Sequence, residues 1–353
     1  MQIAWYDGIV VWVVLGFCAF PAAAAAAITV GNALTWHGEG ATKPICLLPF
    51  ALSDGLMPGE MLQIHFSEPH QLALFETASQ RDSSCICQLL EVDDKKASSL
   101  CAFAPLLELR ESRLHHEVGM WCSFACVGAV QLRDVELRTT AEETALSGIE
   151  FSLQLQEMEP SFISAQAMLL REPCDAGGVD HDSADDEQAF LAVSVEQLYA
   201  QVNQLRRQCM ELNPSGERSS KDFVTSGGDR LGLPPSADDF VEYGHRLGPL
   251  VGPYVELEEH VALRSEVLRT RGVDEPPDTD LSRLAQLWGC ADVEQVRRSL
   301  LAFVAVEALS PIDRLGAIAI ADTNARLEHA LESLTRRKNE LSAEVALRRA
   351  LDS

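Results

Sequence analysis

The sequence predicts an α+β protein: an N-terminal β-barrel of short strands followed by an α-helical bundle with a long C-terminal helix. A change of period along the chain carries this reading. Between about residues 45 and 157 apolar and polar residues alternate, as in strands with one buried face. From about 190 the apolar residues recur every three or four positions, as on helices that pack along one stripe. Between the two lies "EPCDAGGVDHDSADDEQ", residues 172–188, with seven Asp and Glu and two adjacent glycines. It reads as a solvated acidic linker, 172–190.

In the first half the clearest alternation is "IEFSLQLQ", where Ile149, Phe151, Leu153 and Leu155 share one side. Similar strands are expected at 45–50, 61–66, 85–92, 101–109 and 120–137, the last bending or breaking near Gly128. Half a dozen short strands imply a small barrel or a pair of packed sheets. One helix interrupts them. After Glu68-Pro69, an acidic residue and a proline suited to a first turn, Leu72, Phe75 and Ala78 recur at helical spacing.

In the second half Ser194-x-x-Gln197 reads as a capping box, opening a helix with Val195, Leu198, Val202, Leu205, Cys209 and Leu212 on one face. A Gly-, Ser- and Pro-rich loop at 214–239 ends it. Further helices are expected at 254–271, 280–288 and 292–309, and Ser310-Pro311-Ile312-Asp313 restarts the chain with a cap, an N-terminal proline and an acidic first turn. The last helix, 323–350, places Leu327, Leu331, Leu334, Leu341 and Val345 at coiled-coil spacing, with Lys338 in the seam. Such a stripe is expected to pack on the chain's own helices, with pairing to another chain as the alternative.

At 353 residues and 47% hydrophobic composition the chain can bury a substantial core. Its 53 acidic against 28 basic residues give a net charge of −25, which repels a phosphate backbone and excludes nucleic acid as the main partner. The ten cysteines are scattered and read as buried thiols. Cys85-x-Cys87 and Cys122-x3-Cys126, with His115-His116 between them, lack the spacing of a structural zinc site. The cluster Asp180, His181, Asp182, Asp185, Asp186 lacks the ligand order of a calcium loop. No metal or cofactor is expected.

Residues 9–30, "IVVWVVLGFCAFPAAAAAAITV", carry no charge and as a helix would span about 33 Å. Pro21 divides them into an apolar half and an alanine-rich half, the pattern of an h-region followed by small-residue cleavage sites. Residues 1–30 are therefore read as a signal peptide, with a retained membrane anchor as the alternative. Entry into the secretory or endomembrane route follows, although no Lys or Arg precedes Lys43. Ala19-Phe20-Pro21 resembles the junction in bipartite leaders of algae with secondary plastids, which implies a plastid destination.

The stretch "LPF…LMPGEMLQIHFSEPHQLALFE" resembles the opening of the Lon substrate-binding domain, the N-terminal region of ATP-dependent Lon proteases: a Leu-Pro strand, a Pro-Gly turn, an alternating strand and a Glu-Pro helix start. "EVGMWCSFACVGAVQLRDVEL" is similar to that family's central strands, and "ALSPIDRLGAIAIADTNARLEHALESL" to its helical close. The three lie in the family's order over roughly residues 45–340. His70, where the family commonly has a basic residue, and Ser67, at an often bulky position, depart from it. The resemblance implies a PUA-like barrel at 45–160 and, at 191–353, the helical bundle that completes the region. It also implies that Pro49, Pro58, Gly59, Phe66, Glu68 and Pro69 shape the fold and border any binding edge.

The chemistry of a Lon protease is not read in this sequence. No Gly-Lys dipeptide occurs, so no P-loop is expected, and no G-x-S-x-G elbow appears. Met120 stands where a zinc protease motif begun at His116-Glu117 needs its second histidine, and Ser220-Lys221 is read as loop composition. The expectation is a stand-alone, non-catalytic form without ATPase or peptidase, with no catalytic residues. It would serve protein quality control by recognising unfolded or damaged polypeptides and delivering them to a separate protease. The alternative is a scaffold or adaptor that binds one native partner through its acidic and helical half. Membrane contact is expected only with a retained leader.

Overall fold

The computed structural model describes residues 40–80, 84–94, 97–115, 119–139, 161–173, 181–212, 245–247, 257–268 and 278–351. The signal-peptide, anchor and plastid readings, the strand at 149–156 and the loop at 214–239 lie outside them. Among the described residues no helix is long and apolar enough to cross a membrane.

The β half contains β1 (Thr42–Ala51), β2 (Met61–Phe66), helix α1 (Pro69–Gln80), β3 (Cys85–Asp94), β4 (Ala97–Leu100), β5 (Phe103–His115), β6 (Gly119–Thr139) and β7 (Ser161–Leu169). Pairings β1–β3, β3–β5, β5–β6, β6–β7 and β7–β1 close a ring, parallel only at β1–β3. The expected barrel is therefore present, and the fold is α+β. β2 pairs with the first part of β6, on the edge that β7 takes farther along and opposite β5, and a short strand β8 (His245–Leu247) pairs with the other edge of β2.

β1 is buried on both sides, which is why "ICLLPF" is a continuous apolar run. Cys46, Leu48 and Phe50 enter one cluster with Leu74 and Phe75 of α1, while Ile45 and Leu47 enter a second that continues into the helices. β6 does not break at Gly128. Instead Leu106 pairs with Gly128 and Leu107 with Cys126, leaving Val127 as a bulge that lets one strand of 21 residues wrap the barrel.

The helical half contains α2 (His181–Glu211), α3 (Leu257–Leu268), α4 (Asp278–Trp288), α5 (Val293–Glu307), α6 (Pro311–Ala319) and α7 (Thr323–Leu351). Its caps follow the sequence. Ser310 accepts from Asp313 N at 3.3 Å, and Asp292 accepts from Gln295 N at 2.8 Å. Two sequence readings are corrected here. β7, "SFISAQAML", is missing from the expected strands, because its small residues hide the alternation that burial reveals. And α2 starts at His181, inside the acidic stretch, so Ser194 is no cap: its hydroxyl bonds back to Phe190 O at 2.9 Å. The acidic residues at 182–187 sit at a helix N-terminus, where the macrodipole favours negative charge.

α2 and α7 run side by side in the same direction. Near their starts Gln188 is bonded by Arg298 of α5, and Thr323 by the neighbouring Ser299. At their ends the Arg348 guanidinium donates to Cys209 O at 2.8 Å. Leu327, Leu334, Leu341 and Val345 are buried in the cluster that holds Val195, Val202 and Cys209, so the coiled-coil stripe packs on the chain's own helices.

Asp313 ties α6 to α7. It accepts from Ser310 Oγ at 2.7 Å and Ser333 Oγ at 3.0 Å, and pairs with Arg336. Burial alone raises its pKa, but the hydrogen bonds from Ser310, Arg336 and Ser333 outweigh burial and hold the carboxyl below its usual value. A depressed folded pKa contributes stability that is complete above the unfolded value of about 3.9 and is lost as pH falls through the folded value. Urea denaturation of Asp313→Asn against wild type is therefore expected to show a stability gap at neutral pH that shrinks below about pH 4. A gap that stays constant down to about pH 2.5 contradicts this assignment.

Candidate functional site

The barrel and the helices meet at the turn Met57-Pro58-Gly59-Glu60. Pro58 presets the second position, Gly59 takes φ +84°, and Glu60 N donates to Met57 O at 3.0 Å. A side chain at Gly59 is excluded twice, by that φ and because a Cβ would lie 2.8 Å from Arg264 Cβ. The turn is fixed to β6 by Gly59 N to Cys126 O at 2.9 Å and Cys126 N to Glu60 O at 2.8 Å.

Glu60 is fully buried. One carboxylate oxygen accepts from Met57 N at 2.6 Å; the other lies 3.2 Å from Arg264 Nη2 of α3. Arg314 of α6 reaches within 3.6 Å and donates to Ser53 O at 3.2 Å and to Gly55 O. Arg264 also pairs with Glu307 of α5, and His260 Nε2 stands 3.2 Å from that carboxylate. Two carboxylates thus face two guanidinium groups. Burial pulls the Arg264 pKa down, and Glu307 opposes it; a guanidinium starts high enough to stay charged regardless.

Two more barrel carboxylates behave alike. Glu108 of β5, also buried, is held by Arg110 at 3.2 Å and by Arg283 of α4 at 2.5 Å. Glu172, just after β7, accepts from Thr323 N at 2.6 Å and Gln295 Nε2 at 3.0 Å, so it caps α7 from the barrel side. Burial pushes its carboxyl up, against the lowering effect of the Thr323 bonds. Beside it the Trp288 indole donates to the bulge carbonyl of Val127 at 2.7 Å, and Arg326 lies 4.4 Å over the Phe303 ring.

Pro58, Gly128, Glu172, Trp288, Phe303 and Arg326 line a crevice of about 20 Å³. That volume holds a water, far short of the several hundred Å³ that a metabolite needs. The buried carboxylates are thus packed against structural partners.

The six residues expected to shape the fold divide by role. Pro58 and Gly59 make the junction turn. Phe66 is buried against Phe75 and Phe124, with centroids 5.5 and 6.3 Å away. Pro49 lies past the last β7 partner of β1, out of the doubly paired ladder. Pro69 is the first residue of α1, whose start is closed by Gln71 Oε1 accepting from Ser67 N and Glu68 N. Glu68 itself is exposed, 3.2 Å from the ring of His70. Cys46, Cys85, Cys87, Cys122 and Cys126 are buried, and burial pushes the Cys87 and Cys122 thiols well up. Among the described residues no three His, Cys, Asp or Glu stand together as a metal site.

Glu60, Glu108, Glu172, Arg264, Arg314 and Arg326 are not singled out by the sequence reading, though a signal exists. Glu108 falls in phase with Leu106, and Arg264 falls on the stripe of Leu257, Val261 and Leu268. A charge in an apolar phase requires a buried partner.

No family model matches the chain, and no curated protein matches it. Among solved structures the chain is similar to the N-terminal domain of Mycobacterium avium complex Lon protease, with 10% identity and a TM-score of 0.30, over 78% of this chain and 96% of that one. This is a distant likeness only.

The two glutamates of the junction motif separate structural from surface roles. Glu60→Ala removes the buried carboxylate that Arg264 and Arg314 share, leaving Arg264 with Glu307 alone, and is expected to cost about 3 kcal/mol in chemical denaturation. Glu68→Ala, at an exposed position, should change stability by less than about 0.5 kcal/mol. Equal costs for the two would refute this division.

Proposed function

We propose that the chain is a non-catalytic polypeptide-binding protein that takes up unfolded or damaged polypeptides and presents them to a separate protease. The distal part of β6 supports this reading most directly. Its first half is buried, but Arg133 to Leu137 are exposed, with Val135 at 40% and Leu137 at 68% accessibility. β5 leaves β6 at Gln131, while β7 follows it to Thr139 on the other side. Among the described residues no strand therefore runs along the outer edge at Glu136 and Leu137.

An extended client adding itself here gains main-chain hydrogen bonds that any sequence can make, and apolar contact from Val135 and Leu137. Such recognition suits unfolded chains, whose backbone is available, and rejects native ones. Arg133, Asp134 and Glu136 flank the apolar pair, and Asp134, at φ +51°, lies in a bulge between Arg133 and Glu136. Charges and a bulge are devices that keep an edge from pairing with its own kind.

Fluorescence anisotropy with labelled unfolded and native forms of several unrelated proteins tests this. The expected result is micromolar binding confined to the unfolded forms, weakened about tenfold, or 1.4 kcal/mol, by Val135→Glu with Leu137→Glu. Absent binding, or equal binding to both forms, sinks the proposal. Capture of one native protein alone would turn the reading to the adaptor.

A further inference from the structure

β8 is set apart from the other strands by its pairing. β1, β3, β5, β6 and β7 each pair along both edges and close the ring among themselves, and β2 joins that ring through β6. β8 lies outside it. Its three residues pair with β2 alone, Leu247 opposite Met61, Arg246 opposite Leu62 and His245 opposite Gln63, and stop halfway along a strand that runs on to Phe66. The ring closes without it.

Two features of the sequence make this pairing easy to exchange. β8 sits between the end of α2 at Glu211 and the start of α3 at Leu257, in the same connection as the Gly-, Ser- and Pro-rich stretch 214–239. Its docking therefore closes a long loop and must offset the entropy of doing so. The ladder set against that cost is three residues long. Gly244 precedes the strand and Gly248-Pro249 follows it, and a proline has no N–H with which to extend a ladder. The edge that β8 occupies is suited to any extended segment. Leu62, Ile64 and Phe66 hold β2 in the core, while the half-buried Met61, Gln63 and His65 of its other face include no carboxylate, guanidinium or ammonium group. Pairing there is read through the main chain rather than through charge.

We infer that the edge of β2 away from β6 is a docking edge for an extended polypeptide segment, and that β8 is the chain's own exchangeable occupant of it. An incoming segment pairs antiparallel in the register of β8 and displaces it. A tethered strand competes at high effective concentration, so β8 sets how readily the edge is opened. This edge is separate from the distal edge of β6, and the inference holds whether or not that edge takes unfolded polypeptides.

A labelled peptide with the sequence of residues 240–251, titrated into the full-length chain, tests this. Neighbouring residues of an antiparallel strand alternate in turning their N–H toward the partner, so Arg246→Pro with Leu247→Pro removes a ladder donor from β8 whichever of the two supplies it. The peptide is expected to bind this variant about tenfold or more tighter than wild type, and a peptide carrying the same two prolines should bind neither. Adding Val135→Glu and Leu137→Glu to the variant should leave peptide binding unchanged, which keeps this result apart from that of the β6 edge. Circular dichroism and melting should stay at wild-type values, because the ring closes without β8. Binding of the peptide to neither form, or equally to both, overturns the inference, as does binding that the β6 substitutions abolish. A double-proline chain that no longer folds overturns it as well, since β8 would then be a fixed part of the fold.

Discussion

Burial of Glu60 is the constraint on which the rest of the architecture depends. A carboxylate with no access to water must be met by hydrogen bonds and opposite charge, or the turn that carries it will not fold inward. Here the turn's own Met57 N–H meets one oxygen, and guanidinium groups from α3 and α6 approach the carboxylate. The barrel thus presents a charge that only the helices can neutralise. Glu108 and Glu172 repeat the arrangement toward α4 and toward α5 and α7. Three barrel carboxylates, each met from the helical half, fix the relative placement of the two halves more specifically than apolar area alone.

The apolar contacts follow that placement. One hydrophobic cluster runs from Ile45 and Leu47 of the barrel to Leu341 and Val345 at the far end of α7. Gly128 lets the Trp288 indole approach β6, since a Cβ there would stand 3.2 Å from its nitrogen. The Val127 bulge supplies the carbonyl that the indole needs. The crevice at the junction, of about 20 Å³, is lined by residues of both halves, Pro58 and Gly128 from the barrel and Trp288, Phe303 and Arg326 from the helices.

Much of this is legible in the sequence, for physical reasons that also explain the failures. β2 is bounded as expected because Leu62, Ile64 and Phe66 alternate strictly between two turns, and Ser310-Pro311 opens its helix because cap and proline act locally. β7 escapes because "SFISAQAML" is buried by neighbours far away in sequence, β1 and β6, and not by its own pattern. The start of α2 escapes because acidic composition suggests solvation and equally suits a helix N-terminus. The junction cluster escapes because Glu60, Arg264, Glu307 and Arg314 are distant in the chain; only the odd phase of Arg264 hints at it. The turn itself, Pro58 and Gly59, is visible because turn chemistry is encoded within four residues.

Native-state hydrogen exchange tests most directly the claim that barrel and helices are one cooperative body held by these carboxylates. Amides in the cores of β3, β5 and β6 and those of α5 and the first half of α7 should open with a common free energy, equal to that of global unfolding. Glu60→Ala should lower the whole set together. Helices that exchange well before a still-protected barrel would contradict the account, because the junction would then be a contact between two independent units.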